Sequence, residues 1–323
     1  MIISASRRTD IPAFFSGWFM NRIREQYALV QNPFNSHQIS KVSLSPDVVD
    51  CIVFWSKNPE PMIHRLQELQ DYMYYFQYTL NAYGEDLEKN LPPVSERISS
   101  FHTLSRLIGK QRVIWRYDPI ILNETYTFSW HLDRFASLAG ALQGCTERCV
   151  ISFIDLYSSI AGPAKKYGIR ELPDSAVLEL AKELSSIARS FGMIMETCSE
   201  KIDLSSCSIA HGCCIDGHLI SSLLGCSLSV EKDKNQRPEC GCAASIDLGL
   251  YNTCRNGCIY CYANHSSQTL EKRRRMYDEH SPLLCGRLTE LDKVTERKVK
   301  SLQNRQLDLF SRLPSESKFT KLR

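Results

Sequence analysis

Residues 245–264, SIDLGLYNTCRNGCIYCYAN, carry the pattern on which the fold and chemistry of this chain turn. The run Ile246 to Leu250 has the short apolar character of a buried strand. Cys254, Cys258 and Cys261 then follow on a compact loop in the spacing C-x3-C-x2-C, with Tyr260 directly before the last. Thiolates this close together suit soft iron or zinc. A structural zinc site usually closes with a fourth local ligand, commonly as paired C-x-x-C knuckles. A zinc knuckle completed by a distant cysteine is therefore one reading of the loop.

Upstream of this loop, short strands alternate with amphipathic helices. Ile2–Ser6 reads as a strand, Arg7-Arg8-Thr9-Asp10 as a polar turn, and Pro12 opens a helix through about Arg24. Further strands are expected at Cys51–Ser56, Tyr74–Leu80, Arg112–Tyr117, Cys149–Leu156 and Met193–Cys198. Helices are expected around Ser95–Ile108, with Ile98, Phe101 and Leu107 or Ile108 on one face, and at Thr127–Leu142. Another is expected at Asp174–Phe191, with Asp174 as its N-cap. Adding Ile246–Leu250 makes about seven strands separated by helices, the pattern of a parallel α/β sheet with right-handed crossovers. That many βα units favours a full or partial TIM-like barrel over an open sheet. The expected organisation is a barrel over residues 1–270, including a Cys-rich region at 198–264, then a basic, partly helical tail at 271–323.

Active sites of βα barrels gather at the C-terminal ends of the strands, and polar residues stand at those ends here. Arg7 and Arg8 suit an anion clamp, and Lys57 with Asn58 would be tethered over a pocket. Asp10, Arg116 and Asp118 complete the catalytic candidates, while Tyr260, Asp155 and Glu196 are candidates for holding a cofactor. An aspartate at any of these positions could equally cap a helix or pair with a neighbouring cation.

Composition narrows the class. The chain is 43% hydrophobic and 23% charged with net charge +3, which excludes global disorder and a general polycation. No apolar run reaches membrane-spanning length, and MIISASRRTD reads as a strand rather than a signal peptide. Fourteen cysteines without a secretion signal point to a reducing, cytoplasmic setting and to metal chemistry instead of disulfides.

The spacing of Cys254, Cys258 and Cys261, the aromatic Tyr260 and the preceding strand together resemble the cluster motif of radical S-adenosylmethionine (SAM) enzymes. The resemblance implies a 4Fe–4S cluster held by three cysteines, with the fourth iron left open for SAM. It also implies cleavage of SAM to a 5′-deoxyadenosyl radical, and an electron donor such as flavodoxin or ferredoxin. Radical SAM barrels carry this loop after their first strand, whereas here it follows the last expected one; a circularly permuted barrel reconciles the two. MIISASRRTDIPAF, VDCIVFWSKNP, WRYDP, KDKNQRPECGC and YNTCRNGCIYCYAN further resemble a bacterial family described only as a domain of unknown function. That family is noted for a radical-SAM-like cysteine cluster near its C-terminus. The Cys-Tyr-Ala pattern is similar, more loosely, to spore photoproduct lyase and its photolyase-like relatives.

A second set comprises Cys198, Cys213, Cys214, Cys240 and Cys242. Four of them suffice for an auxiliary iron–sulfur cluster. The family's C-C-I-D pattern matches at Cys214, which makes Cys213 the spare. Buried free thiols or one structural zinc explain the same residues. His211, His218 and His265 show no regular ligand spacing and read as non-ligands.

The tail begins with the basic run Lys272–Arg275, and Glu290–Asn304 reads as a polar helix, with no further strand expected. Near the C-terminus, Gln306-Leu307-Asp308-Leu309-Phe310 resembles the peptide by which bacterial replication and repair proteins bind the sliding clamp. Basic run and peptide together favour a DNA substrate. A base in duplex DNA would first have to be flipped out. RNA, a peptide or a small metabolite are the alternatives, as is a non-catalytic iron–sulfur or zinc module that binds nucleic acid.

In the clamp reading Leu309 and Phe310 fill apolar pockets while Gln306 bonds at the rim. Binding of purified clamp should then be lost in a Leu309→Ala, Phe310→Ala double variant, since each buried anchor is worth about 2 kcal/mol or more. Titration of the clamp against both proteins checks this, and an affinity unchanged by the double substitution would refute it.

Overall fold

The computed structural model describes residues 1–304, so the clamp-like peptide Gln306–Phe310 lies outside the described residues. In chain order the strands are β1 (Ile2–Ala5), β2 (Tyr27–Gln31), β3 (Gln38–Ser43), β4 (Cys51–Ser56), β5 (Tyr74–Thr79) and β6 (Val113–Ile120). They continue as β7 (Arg148–Phe153), β8 (Ile194–Thr197), β9 (Ala210–His211), β10 (Ile246–Asp247) and β11 (Lys293–Glu296). Eight form one sheet in the order β10-β1-β4-β5-β6-β7-β8-β9, and every pair in it is parallel. Strands successive in this sheet are thus neighbours, except that late β10 returns beside β1, with Ile246 opposite Ile3 and Asp247 opposite Ser4. The ladder ends at β9 on one side and β10 on the other.

These strands read as continuous apolar runs because both faces are covered. On one face Ile3, Phe54, Phe76, Trp115 and Ile151 pack with helix residues such as Phe19, Phe101, Phe135 and Leu184. On the other, Ile2, Val53, Tyr75, Ile114 and Val150 pack against Ile215, Leu219 and Ile220 of the Cys-rich segment. Burial of each such large apolar side chain contributes about 1.5–3 kcal/mol, so the Cys-rich segment is part of the core.

Helix boundaries follow local chemistry. The first helical stretch is split into Ile11–Phe14 and Ser16–Glu25 at Phe15, and Asp10 caps the first piece by accepting from the Ala13 amide. Val94–Ile108 buries Phe101, Leu104 and Ile108, while Leu107 is 59% exposed, which decides between the two expected anchors. Phe128–Ala141 is capped by the Thr127 hydroxyl. Asp174 is not the N-cap of its helix: Pro173 holds that position without a side-chain bond, and Asp174 sits in the first turn, where a carboxylate complements the helix dipole.

A second sheet, β11-β3-β2, has no counterpart in the sequence reading. β2 and β3 form an antiparallel hairpin, and β11 adds to β3 in parallel. The polar helix expected over Glu290–Asn304 is therefore corrected: Lys293–Glu296 is an exposed strand, because pairing with the open edge of β3 overrides local preference. The segment after residue 276 is also well anchored. Trp18 Nε1 donates to the Ser281 carbonyl, and Asp50 accepts from Ser301 Oγ (2.6 Å) and Leu302 N (2.7 Å). Among the described residues no helix is long and apolar enough to cross a membrane.

Beside the main sheet, Tyr83, Tyr126, Trp130 and His131 form an aromatic cluster. His131 is fully buried between Tyr117 OH (2.7 Å) and the Ile121 carbonyl (2.8 Å), and burial lowers its pKa from 6.5 to about 4. The unfolded chain therefore takes up a proton below pH 6.5 that the folded chain refuses until about pH 4. The stability from this site is complete above pH 6.5 and is lost as pH falls towards 4, by about 3 kcal/mol at most. Urea unfolding across this range should show that loss, and a folded His131→Gln variant should show a shallower slope.

Candidate functional site

The C-terminal ends of the strands open into a cavity of about 410 Å³. Ser6 after β1, Ser56 of β4, Thr79 of β5, Arg116 of β6, Ser152 of β7 and Cys198 after β8 all line it. So do Cys254, Cys258 and Cys261, and so do Cys214, Cys240 and Cys242. Both cysteine sets, Cys213 excepted, thus face one space. Among the described residues, no three Cys, His, Asp or Glu side chains form a group placed to hold a single metal ion.

The three-cysteine loop is fixed at both its base and its middle. At the base, Asp247 of β10 accepts from Ser4 Oγ (2.6 Å), Ser6 Oγ (2.7 Å) and the Arg7 amide (2.9 Å). A Cβ on Gly249 would lie 1.9 Å from Ser6 Oγ, so this close approach requires glycine. In the middle, Asn256 Nδ2 donates to Asp10 Oδ2 (3.0 Å), and the Asn256 carbonyl accepts from the Asn90 amide (3.0 Å). Gly257, at φ +72°, makes the turn, after which Cys258 bridges to Glu88 and the Ile259 amide donates to Leu87. Tyr260 lies over Tyr83 at 6.3 Å, on the edge of the aromatic cluster. Burial pushes the Cys258 thiol up to about 12, partly offset by Lys57.

Lys57 is held over the pocket, as its place at the end of β4 implied, but it is not free. Its Nζ donates to Glu88 Oε1 (2.8 Å) and to Tyr260 OH (3.0 Å), and Tyr260 OH also donates to Glu88. Burial alone would lower the Lys57 pKa; Glu88 and then Cys258 more than offset it. Glu88 stays below the ordinary carboxylate range despite burial, because Lys57 and Arg97 flank it.

Asp10 is equally committed, accepting from Ala13 N, Ser56 Oγ, Lys57 N and Asn256 Nδ2. It caps a helix and ties down the cysteine loop. Arg116 donates to Asp118, Gln77 and Cys214 Sγ (2.9 Å), and Asp118 also accepts from Ser152. Arg7 reaches Ser245 Oγ (3.1 Å) and Asp233 (3.4 Å), whereas Arg8 lies over Tyr251 at 5.3 Å, so the adjacent arginines diverge. Asp155 pairs with Arg237 at the exposed mouth (2.6 Å). Asn58 and Glu196 do not line the cavity; Glu196 faces Arg148 at 3.4 Å.

The sequence reading did not single out Glu88, Asn256, Asp247 or Arg237. Of these, Asn256 carried a signal, since a polar residue next to the turn glycine inside the motif is suited to bracing the loop.

A family model described as a domain of unknown function (DUF1848) matches residues 2–263, a span containing every cysteine of both sets. No curated protein and no solved structure matches the chain.

Gly257 tests the loop geometry. An alanine there adopts a left-handed conformation costing about 1–2 kcal/mol, and its Cβ lies 2.8 Å from Asn90 Nδ2. At Gly144, φ +76°, an added Cβ meets nothing within 4 Å. Urea unfolding should therefore show a larger stability loss for Gly257→Ala than for Gly144→Ala; equal losses would mean that Asn90 does not confine the loop.

Proposed function

The chain belongs to the DUF1848 family, whose description carries no reaction, and from its own site we propose that it is a radical SAM enzyme. Cys254, Cys258 and Cys261 would ligate a 4Fe–4S cluster, with SAM and substrate sharing the cavity at the strand ends. When bound and reduced, that cluster supplies the electron that cleaves SAM to methionine and a 5′-deoxyadenosyl radical. The observation carrying this reading is that three thiols in C-x3-C-x2-C spacing, with no fourth cysteine in their loop, line one cavity of about 410 Å³. That volume suits a small-molecule cofactor, as binding pockets run from about 300 to 1,000 Å³.

In this reading the protein's own residues hold and shield. Asp10 and Asn256 fix the loop against the end of β4, and the Lys57–Glu88–Tyr260 triad braces its far side. Arg116 and Arg7 bring positive charge to the cavity wall, where each already has a carboxylate partner. Asp155 and Arg237 stand at the mouth as polar contacts for an entering ligand. We read the parallel sheet, in which β10 returns beside β1, as a partial, circularly permuted TIM-like barrel whose cluster loop would leave a neighbour of the first strand. All fourteen cysteines are free thiols, in keeping with a cytoplasmic enzyme served by flavodoxin or ferredoxin.

DNA is the substrate class we favour. The helix Ser267–Arg275 carries Lys272, Arg273, Arg274 and Arg275 in its last turn. It is joined to the cavity side through Arg273, which donates to the Tyr251 carbonyl beneath Arg8. The sliding clamp would be the recruiting partner.

Anaerobically reconstituted, dithionite-reduced protein should convert SAM to 5′-deoxyadenosine and methionine even without substrate, and Cys258→Ala should abolish this. Product is followed by chromatography. No turnover, together with no spectral change on adding SAM to iron-loaded protein, would overturn the proposal.

A further inference from the structure

We infer that Cys198, Cys214, Cys240 and Cys242 hold a second metal centre, an iron–sulfur cluster, on the wall of the same cavity. This does not rest on the radical SAM reading, because the four residues belong to other segments of the chain. Cys198 follows β8, Cys214 lies after β9, and Cys240 and Cys242 stand in the loop leading to β10. The fold nevertheless gathers them. Cys198 Sγ and Cys214 Sγ are 3.1 Å apart, and Cys242 neighbours both Cys214 and Cys240.

Each segment is held in place through its backbone. The Cys198 amide donates to Ile151 (2.9 Å), and the Cys240 amide to Arg237 (3.0 Å). The Cys214 carbonyl accepts from Tyr75 OH (2.7 Å) and Gln77 Nε2 (2.9 Å), both on the inner sheet face. The Ala243 amide then joins the two Cys-rich segments at Ile215 (2.9 Å). Two glycines allow the approach: a Cβ at Gly212 would lie 2.8 Å from the Thr197 carbonyl, and one at Gly241 would lie 2.6 Å from Cys213 Sγ.

A place on the cavity wall separates these thiols from cysteines that only pack. A buried free cysteine ordinarily behaves as a small hydrophobe, as Cys149 does in the apolar core. Cys214, Cys240 and Cys242 also belong to the core under the Cys-rich segment, and Cys198 packs against it, but all four line the cavity as well, with Arg116 Nη1 2.9 Å from Cys214 Sγ and Arg7 on the same wall. Four cysteines are the usual complement of a cluster. The set lines the cavity, where a cluster has room.

Iron and acid-labile sulfide are measured after anaerobic reconstitution of wild type and of a Cys254→Ala, Cys258→Ala, Cys261→Ala variant. Two 4Fe–4S clusters predict about eight irons in wild type and about four, with matching sulfide, in the variant. About four in wild type and none in the folded variant, or zinc in place of iron, overturns the second centre. About four in both leaves the second centre standing and removes the first. A Cys198→Ala, Cys242→Ala variant gives the reciprocal reading should the triple variant not fold. Its iron should fall by about half, and unchanged iron refutes the assignment.

Discussion

The carboxylate of Asp10 is the constraint on which the site depends. It is buried at the start of the helix that follows the first strand, and accepts hydrogen bonds from that helix, from the end of β4 and from the cysteine loop. Burial raises its pKa, and the donors pull the other way. A buried carboxylate without such donors would be costly, so the three segments hold it and it holds them. Asp247 does the same one strand over, where Ser4, Ser6 and the Arg7 amide tie β10 to β1. Two acids from opposite ends of the chain thereby fix the loop that carries Cys254, Cys258 and Cys261.

This arrangement explains why the polar strand ends bear so many ion pairs yet leave a cavity. Lys57 with Glu88, Arg116 with Asp118 and Arg7 with Asp233 neutralise one another along the wall. Paired and hydrogen-bonded groups of this kind make the wall stiff. The Cys-rich segment has a double role. Its apolar residues Ile215, Leu219 and Ile220 complete the core over the inner sheet face, while its thiols turn towards the cavity.

Much of this was legible in the residues. The seven apolar runs are all strands, since strands buried on both faces must be apolar throughout and short. Their C-terminal polar residues face the cavity in most cases, because a parallel sheet brings all those ends to one side. Asn58 and Glu196 are the exceptions. The side chain of a strand-end residue falls on either face, and neighbours distant in sequence decide which. The polar strand β11 was illegible for a related reason: among the described residues its only partner strand is β3, more than two hundred residues away, and its own side chains are all exposed.

What the sequence determined by itself is the α/β alternation, the parallel sheet and the spacing of the three cysteines, all of which are properties of short windows. The tertiary structure alone decided that the four other cysteines share the cavity of the first three, and that Lys57 is spent on Glu88 and Tyr260. It also decided that Asp10 braces the cysteine loop through Asn256. Each of these joins residues separated by many elements, and chain closure over such distances leaves no local pattern; only the return of β10 beside β1 brings the two ends together.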